Sequence, residues 1–152
     1  MSNTSLEKKQ HPNNLGIKGW AVGGKWGFER YLYTLHRITG LGILAYFLLH
    51  ILVTSSRVFG QVSWEMWMGI VDSKIFEIGE YLVFVAFGFH ALNGIRLILI
   101  ELGFAVGKAE EPVYPYRSSL NTQRPLMIVI MVLAAALIAI GSYDFFALGA
   151  GH

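Results

Sequence analysis

Three long blocks of apolar residues constrain the fold of this chain more than any other feature of its sequence. They run from Tyr31 to Val53, from Tyr81 to Leu102 and from Leu126 to Phe146. Each block approaches or exceeds the roughly 20 residues that a helix needs to cross a hydrocarbon core of about 30 Å. The blocks therefore predict an all-α membrane protein with three transmembrane helices, at about 32–54, 75–102 and 125–146.

The composition agrees with a membrane domain. Of the 152 residues, 54% are hydrophobic and only 14% are charged. The net charge of +2 is spread along the chain, which argues against nucleic-acid binding. The chain has no cysteine, so it carries no disulfide, no thiolate-held zinc and no iron–sulfur cluster of its own. If electrons pass through it, another subunit must deliver them.

The distribution of polar and basic residues predicts the domain organisation and the orientation. Residues 1–30 are polar, and we predict a polar N-terminal segment there, followed by a three-helix transmembrane anchor domain over 31–152. Lysine and arginine are concentrated before the first span and between the second and third. The positive-inside rule then places the N-terminus in the cytoplasm and the C-terminus on the outer side. The first apolar block continues into a full-length span, so we expect no cleaved signal peptide.

The second apolar block carries three polar residues that need an explanation. His90, Asn93 and Arg96 lie within two helical turns, and polar side chains in hydrocarbon are costly and usually face a protein interior or a ligand. Ala86 and Gly94 lie four residues before and after His90, which leaves room for a flat ligand against the helix. An axial bond to haem iron would satisfy one imidazole nitrogen, and so would a hydrogen bond to a neighbouring helix. The residues alone leave both interpretations open.

Haem b would add a second requirement, because its two propionates need cations near the membrane surface. His36, Arg37 and Arg96 are all expected toward one end of the helices, although anchoring in lipid headgroups explains the first two equally well. His50 lies 14 residues after His36, which is about 21 Å along a helix axis and only about 40° around it. The two histidines therefore face roughly one way at different depths.

Two motifs resemble those of the cytochrome b large anchor subunit of succinate dehydrogenase (complex II). The segment His36–Gly40, HRITG, is similar to the HR-x-[ST]-G motif of that family's first helix. The segment His90–Arg96, HALNGIR, followed by Glu101, is similar to its H-x-x-x-G-I-R-H-x-x-x-D motif. The resemblance covers about residues 30–146, with both motifs in order on the corresponding helices. Leu97 replaces the second histidine of that motif, and Glu101 replaces its aspartate.

The resemblance implies a membrane anchor of a succinate:quinone oxidoreductase. In such a complex a flavoprotein subunit oxidises succinate, an iron–sulfur subunit relays the electrons, and two small membrane anchors bind haem b and quinone. We expect this chain to hold no succinate-oxidising site and no catalytic residue. We also expect it in the inner membrane of a bacterial or archaeal cell. The direction of the reaction, succinate oxidation or fumarate reduction, is left open.

The resemblance also implies a role for each embedded histidine. His90 is expected to be an axial ligand of haem b, opposite a ligand on the partner anchor, with His36, Arg37 and Arg96 near the propionates. His50 matches a deep histidine of the two-haem members, in which it ligates a second haem. One haem is therefore expected, and His50 raises the alternative of two.

The quinone substrate is expected beside Arg37 and Tyr33, which occupies the position of a serine in the family, with Thr34 next to it. Two other functions remain as alternatives. The first alternative is a haem-free structural anchor of the same complex. The second is an unrelated small membrane transport protein that uses its embedded polar residues as a path for a solute or for protons.

Overall fold

In the computed structural model, every regular element of the described residues is helical. The described residues are 16–21, 27–108 and 118–148. The α-helices are α1 (Gly16–Ala21), α2 (Phe28–Ser55), α3 (Gln61–Val71), α4 (Lys74–Glu101) and α5 (Leu120–Tyr143). A 3₁₀ turn, Ser56–Phe59, follows α2, and a π-helical segment, Asp144–Leu148, follows α5.

Three of these helices, α2, α4 and α5, are long and apolar enough to cross a membrane. The first two have 28 residues each and α5 has 24. At 1.5 Å per residue, a 28-residue helix is about 42 Å long, which exceeds the hydrocarbon thickness of about 30 Å. The predicted all-α architecture with three spans is confirmed. The sidedness of the termini stays a prediction.

The first and third spans begin earlier than the sequence predicted. Helix α2 starts at Phe28, directly after Gly27, whose φ of 87° breaks the helical path. Helix α5 starts at Leu120 and contains Pro125, the residue expected near its first position. A proline at that place removes only the hydrogen bond to the carbonyl of Asn121, and transmembrane helices tolerate such a loss. The helix therefore begins before the proline.

The chain divides into two units, Met1–Thr34 and Leu35–His152, and each is described by itself. Within the predicted polar segment, residues 1–15 and 22–26 lie outside the described residues. The division into a segment 1–30 and an anchor domain 31–152 therefore stays a prediction.

In the second unit, α4 and α5 pack closely at a glycine. A Cβ atom on Gly141 would overlap the Phe84 ring, so the ring lies directly against the backbone of α5. The hydroxyl groups of Tyr81 and Ser142 share a hydrogen bond of 2.9 Å. Small residues and interhelical hydrogen bonds are what hold helices together in lipid, where apolar burial contributes little. These contacts fix α4 against α5.

The most buried side chains of these two helices are both apolar and polar. Met127, Ile130 and Ala134 of α5 are 7%, 7% and 3% exposed, whereas Asn93 and Arg96 of α4 are 0% and 6% exposed. A charged guanidinium and a carboxamide therefore lie inside the helix bundle, next to the segment that carries His90.

We expect Gly141→Ala to destabilise the chain, because the new methyl group must displace the Phe84 ring. Overpacking of this kind costs about 1–3 kcal/mol, which thermal unfolding of the detergent-solubilised protein would report as a lower Tm. Adding Phe84→Leu should recover part of the loss.

Gly79→Ala in α4 is the matched control, because no described atom lies within 4 Å of the added Cβ. Equal unfolding temperatures for Gly141→Ala and Gly79→Ala would contradict the close contact between α4 and α5.

Candidate functional site

The two motif histidines meet between α2 and α4. The His36 and His90 rings are stacked, with centroids 3.9 Å apart and planes 6° from parallel. A Cβ on Gly40 would lie 2.7 Å from Cε1 of His90, closer than real Cβ contacts. A Cβ on Gly94 would lie 3.6 Å from Cε1 of His36, an ordinary contact. The bare backbone of Gly40 therefore makes room for the His90 ring.

His90 is held through its Nδ1 atom. This atom lies 3.0 Å from the carbonyl oxygen of His36 and 3.2 Å from Oγ1 of Thr39. A carbonyl oxygen only accepts hydrogen bonds, so the contact with His36 requires the proton on Nδ1. The neutral imidazole then keeps its lone pair on Nε2. The local structure thus selects the tautomer of His90 in which Nε2 is available as a ligand atom.

Thr39 is fixed by the backbone of its own helix. Its Oγ1 lies 2.9 Å from the carbonyl of Leu35 and 3.0 Å from that of His36, and a threonine in a helix commonly donates its hydroxyl proton to such a carbonyl. The oxygen can still accept from His90. Thr39 therefore supports the same orientation of the imidazole.

A groove of about 360 Å³ borders the two histidines. Its walls are mainly apolar, and its lining residues are His36, His90, Ala91, Gly94, Ile95, Leu97, Ile98 and Glu101. Leu97, at the position where the resembling motif has a second histidine, extends the apolar wall. The groove therefore suits a flat apolar ligand with a polar contact at His90.

Arg96 and Asn93 form a buried pair on α4. Nε of Arg96 donates a hydrogen bond of 2.9 Å to Oδ1 of Asn93. Arg96 is not among the residues that line the groove, so its charge is not part of the groove wall.

His50 lies apart from this site. It borders a second groove of about 550 Å³ formed by residues of α2, α3 and α4, including Tyr46, Trp64 and Glu80. The Tyr46 and His50 ring centroids are 5.9 Å apart. His50 is about 21 Å along α2 from His36, the residue that stacks on His90. His50 and His90 therefore belong to two different levels of the helix bundle.

The residues predicted to bind quinone do not line either groove. Arg37 is exposed on α2. Tyr33 and Thr34 belong to the first unit, where they are 45% and 5% exposed and the Tyr33 ring centroid lies 5.1 Å from the guanidinium of Arg30. A quinone site at these residues stays a prediction.

Within the described ranges, no three His, Cys, Asp or Glu side chains come together in a way that would hold a metal ion. Axial ligation of haem iron makes no such demand, because the porphyrin supplies four nitrogen ligands and the protein needs to add only one imidazole on a given face. Haem ligation by His90 stays a prediction.

Comparison with known proteins identifies the family. The sequence matches the family of succinate dehydrogenase/fumarate reductase transmembrane subunits over residues 20–140. The chain belongs to this family. The resemblance found in the two motifs is thereby confirmed, and an unrelated transport protein is ruled out.

Two relatives agree with this assignment. A succinate dehydrogenase hydrophobic membrane anchor subunit of Halobacterium salinarum is 28% identical over 98 residues, which cover 60% of this chain and 73% of the relative. The succinate dehydrogenase 2 membrane subunit SdhC of Mycobacterium tuberculosis is 28% identical over 114 residues, which cover 75% of this chain and 79% of the relative. No solved structure matches the chain.

The family and the three spans together establish a multi-pass membrane protein. The chain is a membrane anchor subunit of succinate dehydrogenase, and so part of an enzyme complex.

Sequence reasoning missed the contacts of two residues with His90. Thr39 and Gly40 belong to the first motif, but the motif does not show that they contact His90. Asn93 is recognisable in the sequence as an embedded amide, but its contact with Arg96 is not. The sequence does contain an indication of these contacts, because Thr39, Gly40 and Asn93 each lie three or four residues after a histidine in an apolar helix. Only the three-dimensional structure pairs them.

We expect Gly40→Ala to displace the His90 ring, because its Cβ would lie 2.7 Å from Cε1. The hydrogen bond to the His36 carbonyl should weaken, with a loss of stability of about 1–3 kcal/mol. The ¹⁵N signals of the His90 imidazole, assigned by their loss in His90→Gln, should shift.

Gly42→Ala on the same helix serves as the control, since no described atom lies within 4 Å of its added Cβ. An unperturbed His90 signal in Gly40→Ala would refute the close approach of the ring to α2.

Proposed function

We propose that this anchor subunit binds haem b through Nε2 of His90 and takes part in electron transfer from the partner iron–sulfur subunit to membrane quinone. The hydrogen bond between Nδ1 of His90 and the His36 carbonyl is the observation that carries the proposal. Metal-ligating histidines almost always donate their other ring N–H to a carbonyl, carboxylate or water, which fixes the tautomer and the ring orientation. His90 has this arrangement on the border of an apolar groove.

The groove supports the proposal through its shape and lining. Ala91 and Gly94 are small, so they leave space beside His90. The other apolar lining residues on α4 are Ile95, Leu97 and Ile98. A volume of about 360 Å³ accommodates only part of a porphyrin. The remainder would need a second surface, and we propose that the partner anchor subunit provides it.

The opposite axial ligand must come from another residue than His36. The His36 and His90 rings lie face to face at 3.9 Å, which leaves no space for a cofactor between them. His90 would therefore hold the haem without His36 as the second ligand. We propose that the partner anchor subunit would supply the second ligand.

Haem b would supply a one-electron carrier inside the membrane. The residues of this chain would orient the His90 imidazole, exclude water through the apolar groove and place positive charge nearby. We propose that His36, Arg37 and Arg96 stabilise the propionate carboxylates. Since Arg96 is 6% exposed, its contribution would be mainly the field of a buried charge.

For the quinone substrate, we propose contacts with Arg37, Tyr33 and Thr34. This part rests on the resemblance of the first motif and its preceding residues to the family. A phenol or hydroxyl can donate a hydrogen bond to a quinone carbonyl, and a guanidinium can do the same with its charge.

A second haem at His50 is an extension of the proposal. The groove next to His50 holds about 550 Å³ and lies at a different level of α2 from the His36–His90 pair. The separation supports two independent ligand sites, and the haem count then decides between one cofactor and two.

A haem-free structural anchor is the second candidate function. It is favoured by the stacking of His36 on His90 and by the bond to Nδ1, because these contacts already stabilise the imidazole without a cofactor. The two candidates differ in whether Nε2 of His90 binds iron.

We expect His90→Ala to abolish the b-type signal of one haem in reduced-minus-oxidised spectra of the purified complex. His50→Ala is the matched comparison, because it removes an imidazole from the other groove. If the complex holds one haem, His50→Ala should keep the full signal, and if it holds two, each variant should lose about half. A full b-type signal in His90→Ala would eliminate His90 as a ligand.

We also expect the chain to copurify in mild detergent with a flavoprotein, an iron–sulfur subunit and a second small membrane protein. The isolated assembly should reduce a quinone analogue with succinate. Recovery of the chain without any of these partners would contradict its proposed place in electron transfer.

A further inference from the structure

Asn93 has no part in the proposed function, yet it is wholly buried at 0% exposure. Its Oδ1 accepts a hydrogen bond of 2.9 Å from Nε of Arg96. Its Nδ2 has no hydrogen-bond partner among the described residues. The side chain thus uses its acceptor while its donor stays unsatisfied.

This arrangement lowers stability unless the side chain of Asn93 has a role. A buried polar group without a partner costs about 1–3 kcal/mol of stability, and in a membrane helix no water is present to hydrogen-bond with the amide. Leucine has nearly the same size and would avoid this cost. The useful property of Asn93 is therefore its carbonyl oxygen, which is the atom that contacts Arg96.

The position of Asn93 on α4 connects Arg96 with the histidine pair. It lies three residues after His90 and three before Arg96, so it is about 60° around the helix from each and within one turn of both. His90 in turn stacks on His36. Asn93 therefore lies between His90 and Arg96 along α4.

A hydrogen bond at Nε restricts an arginine more than a bond at one of its terminal nitrogens. Nε is part of the side-chain stem, and a bond there orients the plane of the whole guanidinium. Long cationic side chains in apolar helices usually extend toward the membrane surface. The Asn93 carbonyl is one contact that keeps the Arg96 side chain inside the bundle.

We propose that Asn93 is a positioning residue that holds the Arg96 guanidinium inside the helix bundle, and so maintains a fixed positive charge within two helical turns of His90. The effect of that charge on a cofactor rests on the proposed function. The link between Asn93 and Arg96 does not, and it is tested separately.

The first test observes the Nε–H group of Arg96 directly. The full chain is produced with ¹⁵N-labelled arginine, assembled with its partners in membranes, and studied by solid-state NMR, with Arg96→Lys identifying the signal. Asn93→Leu removes the acceptor, whereas Asn93→Asp keeps an oxygen at the same place. Asn121→Leu is the matched control, because Oδ1 of Asn121 faces Nη1 of Arg124 at 3.5 Å with the same three-residue spacing on an exposed surface.

The Arg96 Nε–H signal should shift in Asn93→Leu and stay close to its original position in Asn93→Asp and Asn121→Leu. If Asn93→Leu does not accumulate, Asn93→Ser replaces it, because the shorter serine hydroxyl does not reach Nε. An unshifted signal in the variant without the acceptor overturns the proposal.

The second test measures the midpoint potential of the haem. A nearby cation favours the reduced, less positive iron, so Asn93→Leu and Arg96→Leu should both lower the potential. The double variant should fall no further than Arg96→Leu alone, since both changes act through one charge. Equal potentials in the wild type and Asn93→Leu would overturn the effect on the cofactor.

The two tests can contradict their two claims independently. If the wild-type complex contains no haem, the proposed function is wrong, and the NMR result still decides whether Asn93 positions Arg96. If the wild-type complex contains haem but the Arg96 Nε–H signal does not shift in Asn93→Leu, the positioning role is wrong and the proposed function is unaffected.

Discussion

The organisation of the site depends on the contact of the His90 imidazole with the backbone of α2. The carbonyl oxygen of His36 lies 3.0 Å from Nδ1 of His90 and also 3.0 Å from Oγ1 of Thr39 in its own helix. It therefore accepts a hydrogen bond from the imidazole of another helix. The ring reaches this carbonyl because Gly40, one turn further along α2, has no side chain to obstruct it. A single missing methyl group thus allows a backbone oxygen to orient the imidazole.

This contact depends on a fixed distance between α4 and α2. Helix α4 is also held to its other neighbour, α5, by the contact of the Phe84 ring with Gly141 and by the hydrogen bond between Tyr81 and Ser142. These contacts lie in the half of α4 before His90, whereas Arg96 lies in the half after it. Helix α4 is therefore held to α5 at Tyr81 and Phe84 and to α2 at His90.

Most of the fold was predictable from the sequence, because a membrane permits few solutions for three long apolar blocks. The ends of the spans were less accurate, since apolar content does not mark the place where a helix begins. For α2 the relevant signal was Gly27 and its backbone conformation, and for α5 it was the tolerance of the helix for Pro125.

The candidate site was predictable in its residues and less so in its geometry. Helical spacing and the two motifs selected His36, His90 and Arg96. They did not show that His36 stacks on His90, because that contact depends on the separation between α2 and α4. They also did not show that Asn93 accepts a hydrogen bond from Arg96, since a sequence does not reveal which of several embedded polar groups are paired. Pairing across helices is a property of packing.

The central claim is that Nε2 of His90 binds haem iron while Nδ1 donates to the His36 carbonyl. An experimental structure of the assembled, membrane-embedded complex would test it most directly, at a resolution that separates the imidazole from the porphyrin. The account predicts density for a haem beside His90, with iron at Nε2 and a second axial ligand from the partner anchor. A complex without haem density at His90, or with an iron ligated by other residues, would contradict it.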